Sequence, residues 1–339
     1  MTGIKNIEIK DINVPEIKEN EVLIKIEYVG ICGSDVHFYE YGKIGDFIVK
    51  PPFILGHECA GTIVKKGKDV SKLKIGDRVA LEPGITCGKC FFCKTGRYNL
   101  CRSVQFLATP PYHGSLQKYI AYPEEMAFKL PDNLSTFEGA FVEPLSVGIH
   151  ATGQGNVSLG DNVVILGAGC IGLVTMLSAK ARGASNLYIS DVIDKRLAFA
   201  KKIGATDTFN AAKTNVIDKI MQITNGIGAD ITLDASGSEK AIESMPFITR
   251  CGGTMVLIGV PLRAKFEFNF SQIIYKEITV KTVMRYRNVY PTAINAISAG
   301  TIKVKDMVTQ VFDFSQTKEA FDFVVENAND VIKAVIMIA

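Results

Sequence analysis

The alternation of apolar and polar residues divides the chain into three stretches of different texture. In the first, EVLIKIEY at 21–28 alternates polar and apolar positions, and AGTIVKK at 60–66 is a second short strand pattern. A turn at Gly76-Asp77 leads into the run Arg78-Val79-Ala80-Leu81. Period-two alternation marks strands with one face on a core, and Gly and Pro punctuate this region at short intervals, as in an irregular β fold. Near Gly160 the texture changes. Strand-like runs at 162–166, 186–190, 206–210, 230–234, 254–258 and 278–283 alternate with helical patterns at 171–182, 195–203, 216–224 and 239–249. That alternation predicts βαβ units, and six parallel strands under covering helices make a doubly wound sheet. After about Arg287 the pattern loosens, with helices expected at 292–299 and 316–326. The closing apolar run at 334–339 is too short to be a domain and is expected to add a strand back onto the first one. The predicted class is α/β: a β-rich domain over 1–145, a doubly wound parallel sheet over 146–287, and a return to the first domain over 288–339.

Composition narrows the class without changing it. With 339 residues, two domains are expected; 47% hydrophobic and 22% charged residues are ordinary for a soluble globular protein and exclude a disordered or fibrous chain. The formal charge is +3, and the 38 Lys and Arg are spread along the chain rather than gathered in the stripe of a nucleic-acid binder. The opening segment MTGIKNIEIKDINVPEIKEN is charged throughout and lacks the apolar centre of a signal peptide. Residues 163–179 carry no charge over 17 positions, a marginal length for a bilayer span, and three glycines interrupt them early. They read as a buried strand, a turn and a helix. A cytoplasmic protein is expected, with neither nucleic acid nor membrane as a partner.

Cysteine placement brings in chemistry. Of eight cysteines, four fall within fifteen residues as Cys87-x2-Cys90-x2-Cys93-x7-Cys101. Disulfides are rare in the cytosol, so such a cluster points to metal. Four thiolates on one loop suit a structural zinc that orders a lobe of about 84–102 with little core of its own. An iron–sulfur cluster is the rival, weakened by the long x7 gap and the absence of a following Pro. A second constellation is dispersed: Cys32 in GICGSD, His57-Glu58 in LGHE and Glu143 in VEPLSV. Each alone is ordinary, since a lone Cys is usually a small buried hydrophobe. Together they offer the mixed sulfur, nitrogen and oxygen ligands of a catalytic zinc with one open position. His113 and His150 have no comparable context and are expected to be structural.

The run Gly167-Ala168-Gly169-Cys170-Ile171-Gly172 follows NVVIL and opens a helical stretch. The first Gly permits a tight turn, the second a close approach to a pyrophosphate, and the third close helix–strand packing. The helix N-terminus, at Cys170 and Ile171, would then receive the phosphates. Asp191 ends the next strand pattern, where a carboxylate suits both ribose hydroxyls and repels a 2′-phosphate. Arg196 is nearby, but the carboxylate makes NAD the expected coenzyme.

These motifs together resemble one family. GHE, the four-cysteine lobe, VEPLSVGIH and the later GxGxxG resemble the zinc-dependent medium-chain dehydrogenases, and CGSDVHFYEYGKIGDFIVKPPFILGHE, GRYNLC, FLATPPYHGSL, FVEPLSVGIHA and MRYRN are similar to their polyol branch, the sorbitol and xylitol dehydrogenases. The resemblance covers nearly the whole chain. It implies a GroES-like catalytic domain interrupted by a Rossmann domain. It also implies a catalytic zinc on Cys32, His57 and Glu58, with Glu143 as an adjacent ligand or as the partner of water at the metal. Ser34 would bond the reacting hydroxyl and His37 would lie farther along a proton path. Gly259, Val260, Pro261 and Met284 would run beside the nicotinamide, with Arg285 between coenzyme and substrate. Tyr286, Phe106, Thr109 and Phe38 would line the substrate pocket, Phe38 standing where sorbitol dehydrogenases often have Tyr. The implied activity is oxidation of a sugar alcohol to a ketose, and the reverse reduction, with NAD, one catalytic and one structural zinc per chain, in a homotetramer. A related dehydrogenase acting on threonine, butanediol or a simple alcohol is the alternative, and a non-catalytic NAD(H)-binding protein a more distant one.

Overall fold

The computed structural model describes every residue of the chain except 262 and 264. The chain forms two units: Met1–Glu143 together with Tyr290–Ala339, and Pro144–Val289.

The first unit is built on the strand Glu21–Gly30. Its residues Val22, Ile24, Ile26 and Val29 are fully buried. It pairs antiparallel with Glu58–Lys66, Tyr119–Pro123 and Lys333–Met337. Register shifts at Leu23/Ile24 and Ile26/Tyr28 bend the pairing with Glu58–Lys66. From one edge the seven-stranded sheet runs Val308–Asp313, Lys333–Met337, Glu21–Gly30, Glu58–Lys66, Arg78–Leu81 and Ala127–Lys129, with Tyr119–Pro123 joined to Glu21–Gly30 off that path. The closing apolar run therefore lies beside the first strand of the sheet. The four cysteines sit on an excursion from this sheet that holds only the two-residue strands Gly84–Ile85 and Gln105–Phe106, the helix Phe91–Lys94 and a single turn at Tyr98–Leu100. None of the four residues of that helix is buried, so the excursion has little apolar packing to hold it.

The second unit is a six-stranded, all-parallel sheet in the order Asp207–Asn210, Asn186–Asp191, Asn162–Leu166, Ala229–Asp234, Thr249–Leu257, Thr279–Thr282. The first strand in sequence, Asn162–Leu166, is central, and the chain builds outward from it in both directions. Its carboxyl end is the switch point where doubly wound sheets bind ligands. The uncharged run beginning there divides into this strand, a glycine turn and the 12-residue helix Cys170–Ala181, whose Leu173, Val174, Met176 and Ala179 are buried. Among the described residues no helix is long and apolar enough to cross a membrane.

Candidate active site

In the first unit, Cys32 is the N-cap residue of the helix Gly33–Tyr41. Three residues on, the buried Asp35 reaches back to it, accepting the Cys32 amide at 3.3 Å and the Gly56 amide at 2.9 Å. The same carboxylate faces Nδ1 of His57 at 3.4 Å. It thus ties the loop before the helix to the loop before Glu58–Lys66 and leaves the other imidazole nitrogen for a metal. Burial alone would hold His57 neutral, but the charges of Asp35 and Cys32 outweigh it and raise its pKa well above the ordinary value. That negative field equally favours a bound cation.

Glu58 is 1% exposed and engages an equally buried partner, Lys333, whose Nζ lies 2.8 and 2.7 Å from the two carboxylate oxygens and 3.0 Å from the carbonyl of Ile31. The carboxylate occupies space that any Cβ at position 30 would fill, which is why Gly30 stands there. Donor atoms of Cys32, His57 and Glu58 lie within 4.8 Å of one another. A half-buried sulfur and buried nitrogen and oxygen donors, with the imidazole fixed by a carboxylate, fit a zinc site with room for a further ligand. Neighbouring Cys59 is different: burial, opposed by Ser115 and His57, pushes its thiol up to about 12, and it behaves as a small core residue.

Glu143, buried in the first turn of the helix Val142–Gln154, stands outside that three-residue group. Its charge reaches Glu82, whose carboxyl is pushed up to about 7 by burial, against a 2.7 Å hydrogen bond from Tyr98, with Glu143 adding to the rise. Ser34 and His37 are half-buried on the helix Gly33–Tyr41, and the ring of His37 lies 4.7 Å from that of Tyr41. Phe106 brings its ring to 5.6 Å from that of His57. Thr109 is half-buried and bridged to Tyr112. Phe38 is 3% exposed and packs into the apolar core near Phe53. His113 accepts the Ile54 amide at 3.1 Å, a local structural contact.

The sulfurs of Cys87, Cys90, Cys93 and Cys101 also gather within 4.8 Å. The sulfurs stand 3.5 Å apart for Cys90–Cys93, 3.6 Å for Cys101–Cys87 and 3.9 Å for Cys87–Cys93. A tetrahedral zinc with Zn–S of about 2.3 Å sets neighbouring sulfurs about 3.8 Å apart, whereas a disulfide would need about 2.05 Å. The amides of Lys89 and Cys90 point at Cys87 and hold its thiol down at about 6. The donor set and spacing fit zinc.

In the second unit the glycines of the turn have separate reasons. Gly167 has φ +102°, and a Cβ there would press on Ser236; a Cβ at Gly172 would overlap the Gly167 carbonyl. Around Gly169 the space is open apart from Arg196 Nη1, 3.9 Å from where a Cβ would stand. That cradle lies at the N-terminus of the helix beginning Cys170-Ile171, where a pyrophosphate fits. Asp191 accepts the amides of Ala168 at 2.7 Å and Ile193 at 2.9 Å and faces Arg196 at 4.0 Å. Val260 is 82% exposed and Met284 half-exposed, Pro261 half-buried; Gly259 closely approaches Gly237. Arg285 has φ +54° and is half-buried, and Tyr286 is buried. Asp35 and Lys333, which position the metal-site residues, are absent from the sequence expectations. Asp35 could have been found from its place three residues after a cap position; Lys333, 275 residues from Glu58, has no local signal.

Comparison with known proteins agrees with this architecture. Residues 18–132 match the alcohol dehydrogenase GroES-like domain and residues 170–299 the zinc-binding dehydrogenase domain. The chain belongs to the zinc-dependent medium-chain dehydrogenase family and is an oxidoreductase acting on CH–OH groups, with zinc and a nicotinamide dinucleotide as cofactors. It is 41% identical to the sorbitol dehydrogenase of Bacillus subtilis over 99% of this chain and 95% of that protein. It is 42% identical to a probable D-xylulose reductase A of Aspergillus clavatus over 95% of this chain and 91% of that one. An Escherichia coli oxidoreductase/dehydrogenase of unknown specificity superposes with a TM-score of 0.96 at 44% identity, covering 100% of this chain and 97% of that structure. Its branch within the family is thus the polyol-dehydrogenase-like one.

Two outcomes follow from the site. Cys93→Ser should release about one of about two zinc ions per chain and lower Tm, read by metal analysis and calorimetry; unchanged zinc and Tm would contradict a metal on this lobe. Lys333→Met leaves Glu58 buried without its counterion, so denaturant unfolding of the chelator-treated protein should show a loss of about 3–5 kcal/mol. A loss below about 1 kcal/mol, the scale of an exposed pair, would mean that the pair is not buried in solution.

Proposed function

We propose that the protein is a cytoplasmic, NAD-dependent polyol dehydrogenase that converts a secondary hydroxyl of a sugar alcohol such as sorbitol or xylitol to the ketone of a ketose, and reverses the reaction. The observation that carries this reading is the convergence of Cys32, His57 and Glu58, in a chain whose relatives include a sorbitol dehydrogenase and a xylulose reductase. When bound, zinc supplies a Lewis acid for the hydroxyl and NAD the hydride acceptor.

The chain's residues do the rest. Cys32, His57 and Glu58 hold the metal, Asp35 orients His57, and Cys87, Cys90, Cys93 and Cys101 hold a second, structural ion. Glu143 accepts a hydrogen bond from water or hydroxyl beside the metal and adds negative charge there, where a developing ketone needs its proton drawn away. Ser34 receives the hydroxyl proton and His37 passes it outward as the carbinol carbon gives up its hydride. Phe106 and Thr109 contact the substrate from the first unit, and in the second Arg285, beside Tyr286, bonds hydroxyls beyond the reacting carbon. Gly167, Gly169, Cys170, Ile171 and Gly172 take the pyrophosphate and Asp191 the adenosine ribose, with Arg196 alongside. Gly259, Val260, Pro261 and Met284 border the nicotinamide.

The assembly is a homotetramer. Support comes from the edge strand Thr279–Thr282, exposed at all four residues, with Phe270, Ile274 and Tyr275 exposed nearby in sequence; such an edge invites pairing with another copy. Light scattering reads the mass.

A substrate panel with NAD, followed by NADH absorbance, tests the substrate class: a C5 or C6 polyol should exceed ethanol and threonine in kcat/KM, and the reverse order would overturn it. On the same panel Arg285→Ala should lose about 1–3 kcal/mol of transition-state binding on the polyols and little on a short alcohol. Equal losses would assign Arg285 to coenzyme or fold. Asp191→Ala should weaken NAD and relieve repulsion of NADP, because it removes the ribose acceptor and the charge together; a wild type that already prefers NADP would refute that role.

A further inference from the structure

One buried carboxylate beside the glycine turn has no part in the chemistry above. Asp234 ends the strand Ala229–Asp234 and is fully buried. Its Oδ1 accepts the amide of Ser236 at 3.1 Å and the Ser236 hydroxyl at 2.6 Å, while Oδ2 accepts the amide of Gly237 at 3.1 Å. Burial raises its pKa, against these bonds. Its main-chain carbonyl meanwhile accepts the amides of Ile258 and Gly259 at 2.9 and 3.0 Å. One residue therefore joins two loops, one by its side chain and the other by its backbone.

The loops it joins are packed backbone against backbone. A Cβ at Gly167 would meet Ser236 at 3.0 Å, and one at Gly237, where φ is +66°, would meet the Val260 carbonyl at 2.7 Å. At Gly259 a Cβ would overlap the Gly237 amide. Segments 167–169, 235–238 and 258–261 thus form one wall at the carboxyl ends of three neighbouring strands, Asn162–Leu166, Ala229–Asp234 and Thr249–Leu257. Asp191 lies on the other side of Asn162–Leu166. A dinucleotide bound across this crevice places its adenosine over Asp191 and its nicotinamide over the wall that Asp234 ties together.

We propose that Asp234 is a positioning residue for the nicotinamide half of the coenzyme, acting through the 235–238 and 258–261 backbones. The inference rests on the dinucleotide reading of this unit. A carboxylate is required because all three partners are donors and an ionised carboxylate only accepts. Asp234→Asn has nearly the same shape but turns an NH2 group toward Ser236 or Gly237, donor against donor, and loosens the wall on that side alone.

The test compares two probes on the full chain by calorimetry. For Asp234→Asn, the Kd for NADH should rise about tenfold, the scale of one lost hydrogen bond to a buried charge, while the Kd for ADP-ribose, which lacks the nicotinamide, stays within about twofold. Ser236→Ala keeps the carboxylate and removes one donor, so it should shift the same ratio in the same direction by a smaller factor, and it serves if Asp234→Asn fails to fold. Equal weakening of both probes would make Asp234 a general support of the fold and overturn the proposal, as would an unchanged NADH affinity. A wild type that binds neither probe would instead overturn the dinucleotide reading itself, and the proposal with it.

Discussion

Two buried charges far apart in sequence, Glu58 and Lys333, tie together the two segments of chain that make up the first unit. Neither can be left alone in the interior: removing one partner of a buried pair typically costs about 3–5 kcal/mol. Their pairing holds the strand Lys333–Met337 beside Glu21–Gly30, so that Tyr28, Val29 and Gly30 face Met337, Ile336 and Val335. It also fixes the neighbours that matter chemically. Glu58 follows His57 directly, and the Ile31 carbonyl that shares the lysine precedes Cys32. The end of the chain thereby helps set the three residues of the candidate metal site, and the first unit is completed only by residues that follow the second in sequence.

Around that pair the protein separates stiffness from chemistry. Asp35 holds the two loops carrying Cys32 and His57 through amide and imidazole contacts, so that the donors converge without the metal having to gather them. The cysteine excursion differs: it has little apolar packing, and an ion held by its four sulfurs would supply the order that packing does not. In the second unit the sheet supplies rigidity, close contacts require glycine at 167 and 172, and the open space at Gly169 is what a pyrophosphate would need.

Features with a local signature were legible in the sequence. The six parallel strands, the glycine turn and the cysteine spacing all declare themselves within a few residues, whereas the order of the strands across the sheet is set by the fold. Boundaries moved where glycine allowed it: the strand expected at 254–258 starts at Thr249, with Gly252 in the left-handed region at φ +66° and a shift of register before Thr254. The helix Gly33–Tyr41 gave no apolar stripe, since its buried face mixes Asp35 with Phe38 and Tyr39. The helix Val142–Gln154 was hidden by Gly148, which is there because any Cβ would strike the backbone of Val174 and Thr175. The edge strand Val308–Asp313 is largely exposed and shows no alternation. Lys333 was missed because a buried charge is recognisable only from its partner, and Glu58 is brought to it by the fold from 275 residues away; Asp35 and Asp234 accept amides two or three residues along the chain, a local pattern that reads as an ordinary cap or turn.

The proposed activity moves a hydride from the carbinol carbon of a polyol to NAD, with the hydroxyl oxygen at the zinc site. Isotope transfer tests it most directly. The best polyol of a substrate panel, deuterated at every carbon, is mixed in a single turnover with NAD and either zinc-replete or chelator-stripped protein, and the coenzyme is weighed by mass spectrometry. Reduced coenzyme should carry one deuterium with the replete protein and none with the stripped protein, and adding zinc should restore the transfer. Reduced coenzyme without deuterium, or equal transfer by the stripped protein, would contradict the proposed activity.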